Sequence, residues 1–232
     1  MTVPGARRWL RPRLDSGTVN DDLEETVEDG GEADFDLEQA PEIDEEVLRR
    51  RDEAMARIVQ YGDPLLRSRA SEIGLFDDDL EAEAREMFSL MRDAFGCGLA
   101  ANQVGRLRRI LVFQSSEDEE PEALVNPVTE WVSGETETMT EGCLSIPGVV
   151  LDVERPVEAT FTGLDLTGQP VRWEMAGLRA RIIQHELDHL DGVLILDRAP
   201  ADQRRAAMRA LRRGETWAPP HEGEEEIEEV AI

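Results

Sequence analysis

The order of apolar and polar positions divides the chain into segments of distinct period. Residues 77–95 (DDDLEAEAREMFSLMRDAF) place Leu80, Ala84, Met87, Met91 and Ala94 on one stripe at helical spacing. Three aspartates open that segment, where a helix dipole is positive. GCGLAANQVG (96–105) ends the helix, and RILVF (109–113), with four apolar residues in a row after Arg109, predicts a buried strand. SSEDEEPEA (115–123) reads as an exposed loop and VTEWVSGETETMTEG (128–142) as a hairpin-like extended stretch. VEATFTGLDLTGQPVRWEM (157–175) alternates on both sides of a turn at Leu166–Gln169, which predicts a β-hairpin. Helical period returns over 177–190 and again over 201–213. Strands clustered between helices imply an α+β fold, with mainly antiparallel sheets wrapped around the central 177–190 helix.

The ends of the chain look different. Residues 21–46 hold fourteen acidic residues and no basic one. Such a block buries too little apolar surface to offset the entropy of ordering. The expected organisation is a disordered acidic extension over 1–53, a globular domain over 54–200, a basic helix over 201–214 and a disordered acidic tail over 215–232. Order is expected to begin near Ile58.

Charge sharpens this division. Of the formal −27, residues 1–53 and 215–232 together carry −17, so the middle is an ordinary acidic domain. All 25 basic residues are Arg. Two cysteines, Cys97 and Cys143, make no disulfide framework in a chain of 232 residues, and a reduced cytoplasmic setting is expected. The start, MTVPGARRWLRPRLDS, has no apolar segment after its Arg pair, so no secretory signal is read there. No apolar run approaches the ~18 residues needed to span a bilayer.

QHELDHLDG (184–192) carries the chemistry. On a helix His185 and His189 lie one turn apart on one face and can grip a single ion. Glu186, about 100° further round, stays free to act on a water. Only one other histidine exists, His221, so two of three falling at this spacing inside an apolar frame is hard to assign to a solvated helix face. A catalytic site needs a third protein ligand and an open position. No downstream residue suits. Upstream, EGCLSIPG (141–148) sets Cys143 in a tight extended segment that can present a thiolate.

GCGLAANQVG, EGCLS and QHELDHLDG in this order resemble the peptide deformylase family, and the likeness extends over roughly residues 56–198 through VERP, LDLTGQP and LDR. The resemblance implies removal of the formyl group from the N-terminal formylmethionine of nascent bacterial or organellar polypeptides. By motif position it implies Cys143, His185 and His189 as ligands of one divalent ion. Glu186 would be the general base and then the acid. Gln103 and the Leu144 N–H would stabilise the oxyanion, and Gly98 would align the substrate backbone. Fe²⁺ is the family's metal, and a Cys-containing site also accepts Zn²⁺ or Ni²⁺. Such an ion lowers the pKa of water from ~16 toward ~7, and one oxyanion donor is worth ~3–4 kcal/mol of barrier.

Leu99, Leu144, Leu178 and Ile182, with Cys97 at the edge, are candidates for the methionine pocket. Glu141 and Arg155 could brace the cysteine loop. Cys97 stands where the family usually has an aliphatic residue and Asn102 where Pro is common. Arg204, Arg205, Arg209, Arg212 and Arg213 form a basic helix suited to a polyanion, and the family implies ribosome contact there. A monomer is expected. Two other readings are a HExxH peptidase and a non-catalytic relative that binds formylated N-termini. Formate release versus chain cleavage separates them.

Overall fold

The computed structural model describes residues 44–116 and 119–220, all within one structural unit. The acidic stretch up to 43, the tail from 221 and residues 117–118 of the acidic loop lie outside the described residues. The element order is α1 (Glu45–Met55), α2 (Asp78–Asp93), β1 (Gly98–Ala100), β2 (Ile110–Phe113), β3 (Glu122–Val132), β4 (Thr136–Glu141), β5 (Leu151–Pro156), β6 (Glu158–Leu164), β7 (Pro170–Ala176), α3 (Gly177–Leu190), α4 (Ile195–Arg198) and α5 (Ala201–Arg213). Five strands form one antiparallel sheet in the order β1-β2-β3-β6-β7, and β4 pairs with β5 in a second. This is an α+β fold with antiparallel sheets.

The large sheet is covered on both faces, which explains the unbroken apolar run in β2. Ile110 and Val112 join Leu80, Met87 and Met91 of α2 in one core cluster. Leu111 and Phe113 join Ile182, Ile183 and Leu187 of α3 in another. Successive strand residues point to opposite faces, so one strand serves two cores. All five members of the stripe expected on α2 are buried. Asp77 caps that helix by accepting from the Leu80 N–H at 3.1 Å. A third cluster joins Leu151 and Val153 of β5 to Leu194, Ile195 and Ala207 around α4 and α5.

The 157–175 hairpin forms as expected. β6 and β7 run from Glu158↔Ala176 to Leu164↔Pro170. Asp165 Oδ1 accepts from the Thr167 and Gln169 N–H groups at 2.8 and 2.9 Å and closes the turn. Three expectations need correction. First, 128–142 is not a hairpin: β3 pairs with β2 and β6 while β4 pairs with β5, so the chain changes sheets at Ser133–Glu135. Alternation reveals a strand but not its partner.

Second, order does not wait for Ile58. α1 begins at Glu45, capped by Asp44 Oδ1 accepting from the Glu46 N–H at 2.9 Å. Arg49 pairs with Glu46 and Glu53, and Arg57 pairs with Glu86 of α2. Ala54 and Ile58 are buried against the α2 core. The charge of this segment hid a narrow apolar edge. Third, the expected tail begins with a docked residue: the Trp217 N–H donates to Gly148 O at 2.8 Å and Trp217 O accepts from Val150 at 3.0 Å. A half-buried indole in the third cluster holds that strand segment.

Candidate metal centre

α3 arises because Leu178, Ala180, Ile182, Ile183, Leu187 and Leu190 supply apolar positions at helical spacing. His185 and His189 fall on its remaining face, their rings at 5.0 Å between centroids. The turn after β4 brings Cys143 to them. Cys143 Sγ stands 3.2 Å from His189 Nε2, and His189 Nε2 stands 3.3 Å from His185 Nε2. All three donor atoms lie within 4.8 Å of one another. Ligands of one tetrahedral ion at ordinary bond lengths lie about 3.3–3.6 Å apart, so the set fits a single divalent ion. Cys and His are donors of the softer transition metals.

The groups behind these atoms supply charge. Glu141 is buried, and its Oε2 meets His185 Nδ1 at 3.0 Å. Arg155 grips the same carboxylate from Nε and an amino group at 2.7 and 2.9 Å. Arg181 reaches Oε1 at 2.7 Å. Arg155 also reaches Asp188 at 2.9 Å, and Arg198 closes the network on Asp188 Oδ1 at 2.5 Å. Burial raises the Glu141 carboxyl, but the hydrogen bonds of His185 and Arg155 outweigh it and bring it down to about 2. The brace expected from Glu141 and Arg155 is present, and it is larger than expected. The sequence pattern gave Arg181 no role, because a charged residue in a helical segment ordinarily reads as part of a solvated face, and it carried Asp188 and Arg198 only as members of the QHELDHLDG and LDR blocks. Arg181 and Asp188 instead sit at buried positions of α3.

Burial pushes His189 well below its ordinary range, aided by the charges of His185 and Arg155. For His185 burial works in the same direction, but the Cys143 sulfur and Glu141 outweigh it and raise the ring well above its ordinary value. Burial pushes Glu186 up to about 7, and its Oε2 is buried without a partner.

GCGLAANQVG folds as β1 and a 3-10 turn at Ala101–Val104, ended by Gly105 at φ 80°, a left-handed position. Gln103 is buried there. Its Oε1 accepts from the Ala100 N–H at 2.8 Å, and Nε2 faces Ser145 Oγ at 3.3 Å and Cys143 Sγ at 3.9 Å. Leu144 is half-buried, and its carbonyl lies 3.4 Å from Gln60 Nε2.

The expected pocket residues divide. Cys97 is exposed, Leu178 is half exposed and Ile182 is buried on α3. Gly98 packs directly on Glu186. Leu99 is placed elsewhere: it is fully buried in the α2 core, on the opposite face of β1 from Gly98 and Ala100. Met139, which no motif singles out, shares a strand face with Glu141 and is partly exposed. Arg181 ties that strand to α3 by donating to Glu137 O at 2.7 Å. Among the described residues no helix is long and apolar enough to cross a membrane.

The model of the polypeptide deformylase family matches residues 55–205. The chain is 47% identical over 161 residues to peptide deformylase 1 of Corynebacterium glutamicum, covering 68% of this chain and 95% of that one. It is 42% identical over 157 residues to a peptide deformylase of Parafrankia, covering 68% and 85%. The structure of a peptide deformylase from Synechococcus elongatus in complex with actinonin superposes with a TM-score of 0.64 at 40% identity, over 68% of this chain and 88% of that one. This chain, with one thiol and two imidazole donors converging beside a buried glutamate, belongs to the polypeptide deformylase family of metal-dependent enzymes that remove N-terminal formyl groups.

Proposed function

We propose that Cys143, His185 and His189 hold one divalent ion, Fe²⁺ in the cell with Zn²⁺ or Ni²⁺ as substitutes, and that the site deformylates the formylmethionyl end of nascent chains. The approach of Sγ and two Nε2 atoms beside an unpartnered Glu186 carries this reading. Both sheets wrap α3 in this view and set its histidines against the cysteine loop.

When bound, the ion acts as a Lewis acid that makes water nucleophilic at neutral pH. Glu186 then takes a proton from the attacking water at its unpartnered Oε2. It returns that proton to the departing amine, so formamide and water become formate and a free N-terminus. A carboxyl held near neutrality suits both transfers. Gln103 Nε2 and the Leu144 N–H donate to the formyl oxygen as it gains charge, and the anchoring of Gln103 Oε1 on Ala100 aims that donor beforehand. β1 is an edge strand, so the free side of Gly98 accepts an extended peptide backbone. Cys97, Leu144, Leu178 and Ile182 offer apolar surface to the methionine side chain.

The protein works in the cytoplasm as a monomer. The exposed arginines Arg204, Arg205, Arg209, Arg212 and Arg213 of α5 form its contact with ribosomal RNA.

Formate release from formyl-Met-Ala-Ser by metal-loaded protein, beside Glu186→Ala, tests the assignment. Turnover abolished in the variant with the ion retained is expected. Cleavage of an internal amide, or no formate from a fully loaded site, would overturn it.

A further inference from the structure

Two buried polar atoms behind the second histidine lack partners, and they complement each other. His189 turns Nε2 toward Cys143 and His185, which leaves Nδ1 on the far side of the ring. That Nδ1 is buried with no hydrogen-bond partner. His185 is built otherwise, since its Nδ1 meets Glu141. Asn102 is wholly buried and donates from Nδ2 to the main-chain carbonyl of His189, in the last turn of α3. Its Oδ1 is also buried without a partner.

The chemistry of the two atoms is opposite. An imidazole that offers Nε2 to an ion carries its proton on Nδ1, and that N–H needs an acceptor to hold the ring. An amide Oδ1 can only accept. The orientation of the amide is settled by the bond from Nδ2 to His189 O. One orphaned donor and one orphaned acceptor therefore belong to residues that are already joined.

We infer that Asn102 is the positioning residue of His189: in the ion-loaded protein its Oδ1 accepts the Nδ1 proton while Nδ2 keeps the main-chain carbonyl. The amide thereby selects the tautomer that leaves Nε2 free for the ion, and it fixes the ring's rotation. It also couples α3 to the 3-10 turn that carries Gln103, so ligand and oxyanion donor share one anchor. The inference rests on the proposed ligand set.

The test uses the full chain loaded with zinc and labelled with ¹⁵N. Three histidines make the imidazole spectrum simple to assign. In the wild type a proton resides on His189 Nδ1, exchanges slowly and lies close enough to the Asn102 side-chain amide to give a proton–proton Overhauser effect. Asn102→Leu keeps the bulk but removes both polar atoms. It is expected to speed that exchange and to weaken zinc binding, measured by chelator competition, by roughly tenfold to a hundredfold. Asn102→Asp keeps an acceptor and loses the donor, so it restores most of the affinity. If Asn102 served only to cap α3 through Nδ2, Asp would fall as far as Leu. Should the Asp protein not fold, the wild-type spectrum decides: a His189 Nδ1 proton that exchanges fast or shows no Overhauser effect to the Asn102 amide overturns the inference. Equal zinc affinity and an unchanged Nδ1 proton in Asn102→Leu overturn the inference. A wild-type protein that retains no zinc overturns the metal site itself.

Discussion

Gly98 lies directly against Glu186. A Cβ built on Gly98 would stand 2.8 Å from both Cγ and Cδ of Glu186 and closer still to Oε1. The edge strand and the buried carboxylate thus leave room for a hydrogen atom and nothing larger.

Gly98→Ala is therefore expected to push Glu186 aside. Small misplacements of a catalytic group cost up to ~100-fold in rate. The turnover number should fall by about 10- to 100-fold, while zinc content and melting temperature stay near those of the wild type. Unchanged turnover would show that Glu186 has slack that the structure does not display.

Removing the charge of Glu141 strands its partners. Arg155 and Arg181 are buried on that carboxylate. Breaking a buried ion pair by taking one partner typically costs ~3–5 kcal/mol. Glu141→Gln should destabilise the fold by about that amount in urea unfolding and should release zinc more readily, because His185 loses its support. A variant as stable as the wild type would mean that the network is held by its other members.

Asp197 gives a pH dependence remote from the candidate metal centre. Its Oδ2 accepts from the Leu194 N–H at 2.8 Å and pairs with Arg67. Burial raises its carboxyl, but the hydrogen bonds of Arg67 and Leu194 prevail and hold it below the ordinary value. A folded value below the unfolded one adds stability above the unfolded pKa of ~3.9, and that stability is lost as pH falls through the folded value. Asp197→Ala should cost about 1 kcal/mol at pH 7, the usual worth of a cap. The gap between the two proteins should then shrink below about pH 4. Unfolding curves at both pH values check this, and a gap that widens in acid contradicts it.

The basic face of α5 is separable from the chemistry. Replacing Arg204, Arg205 and Arg209 with Glu should leave hydrolysis of a formyl tripeptide unchanged. Binding to ribosomal RNA should weaken, with a salt dependence shallower by about one unit for each phosphate that is no longer neutralised. Equal RNA binding by both proteins would remove α5 as the contact.

Local pattern was enough for α2, α3, α5, the β6–β7 hairpin and the three blocks that bear Gln103, Cys143 and the two histidines. Each depends on spacings of a few residues, which helix and strand geometry translate directly into faces. Partner choice is different, because it is decided between segments far apart in the chain. Only the tertiary structure separates β3 from β4, turns Leu99 into the α2 core and orders α1 on a thin apolar edge. The same holds for the ionic network. Arg181 and Asp188 acquire their roles only when Glu141 and Arg155 arrive from β4 and β5 to pair with them, and Arg198 only when it reaches Asp188. Asn102 is likewise an ordinary polar residue in its own segment. Its meaning comes from the His189 carbonyl, 87 positions later, because a buried polar atom is defined by the partner that folding brings to it.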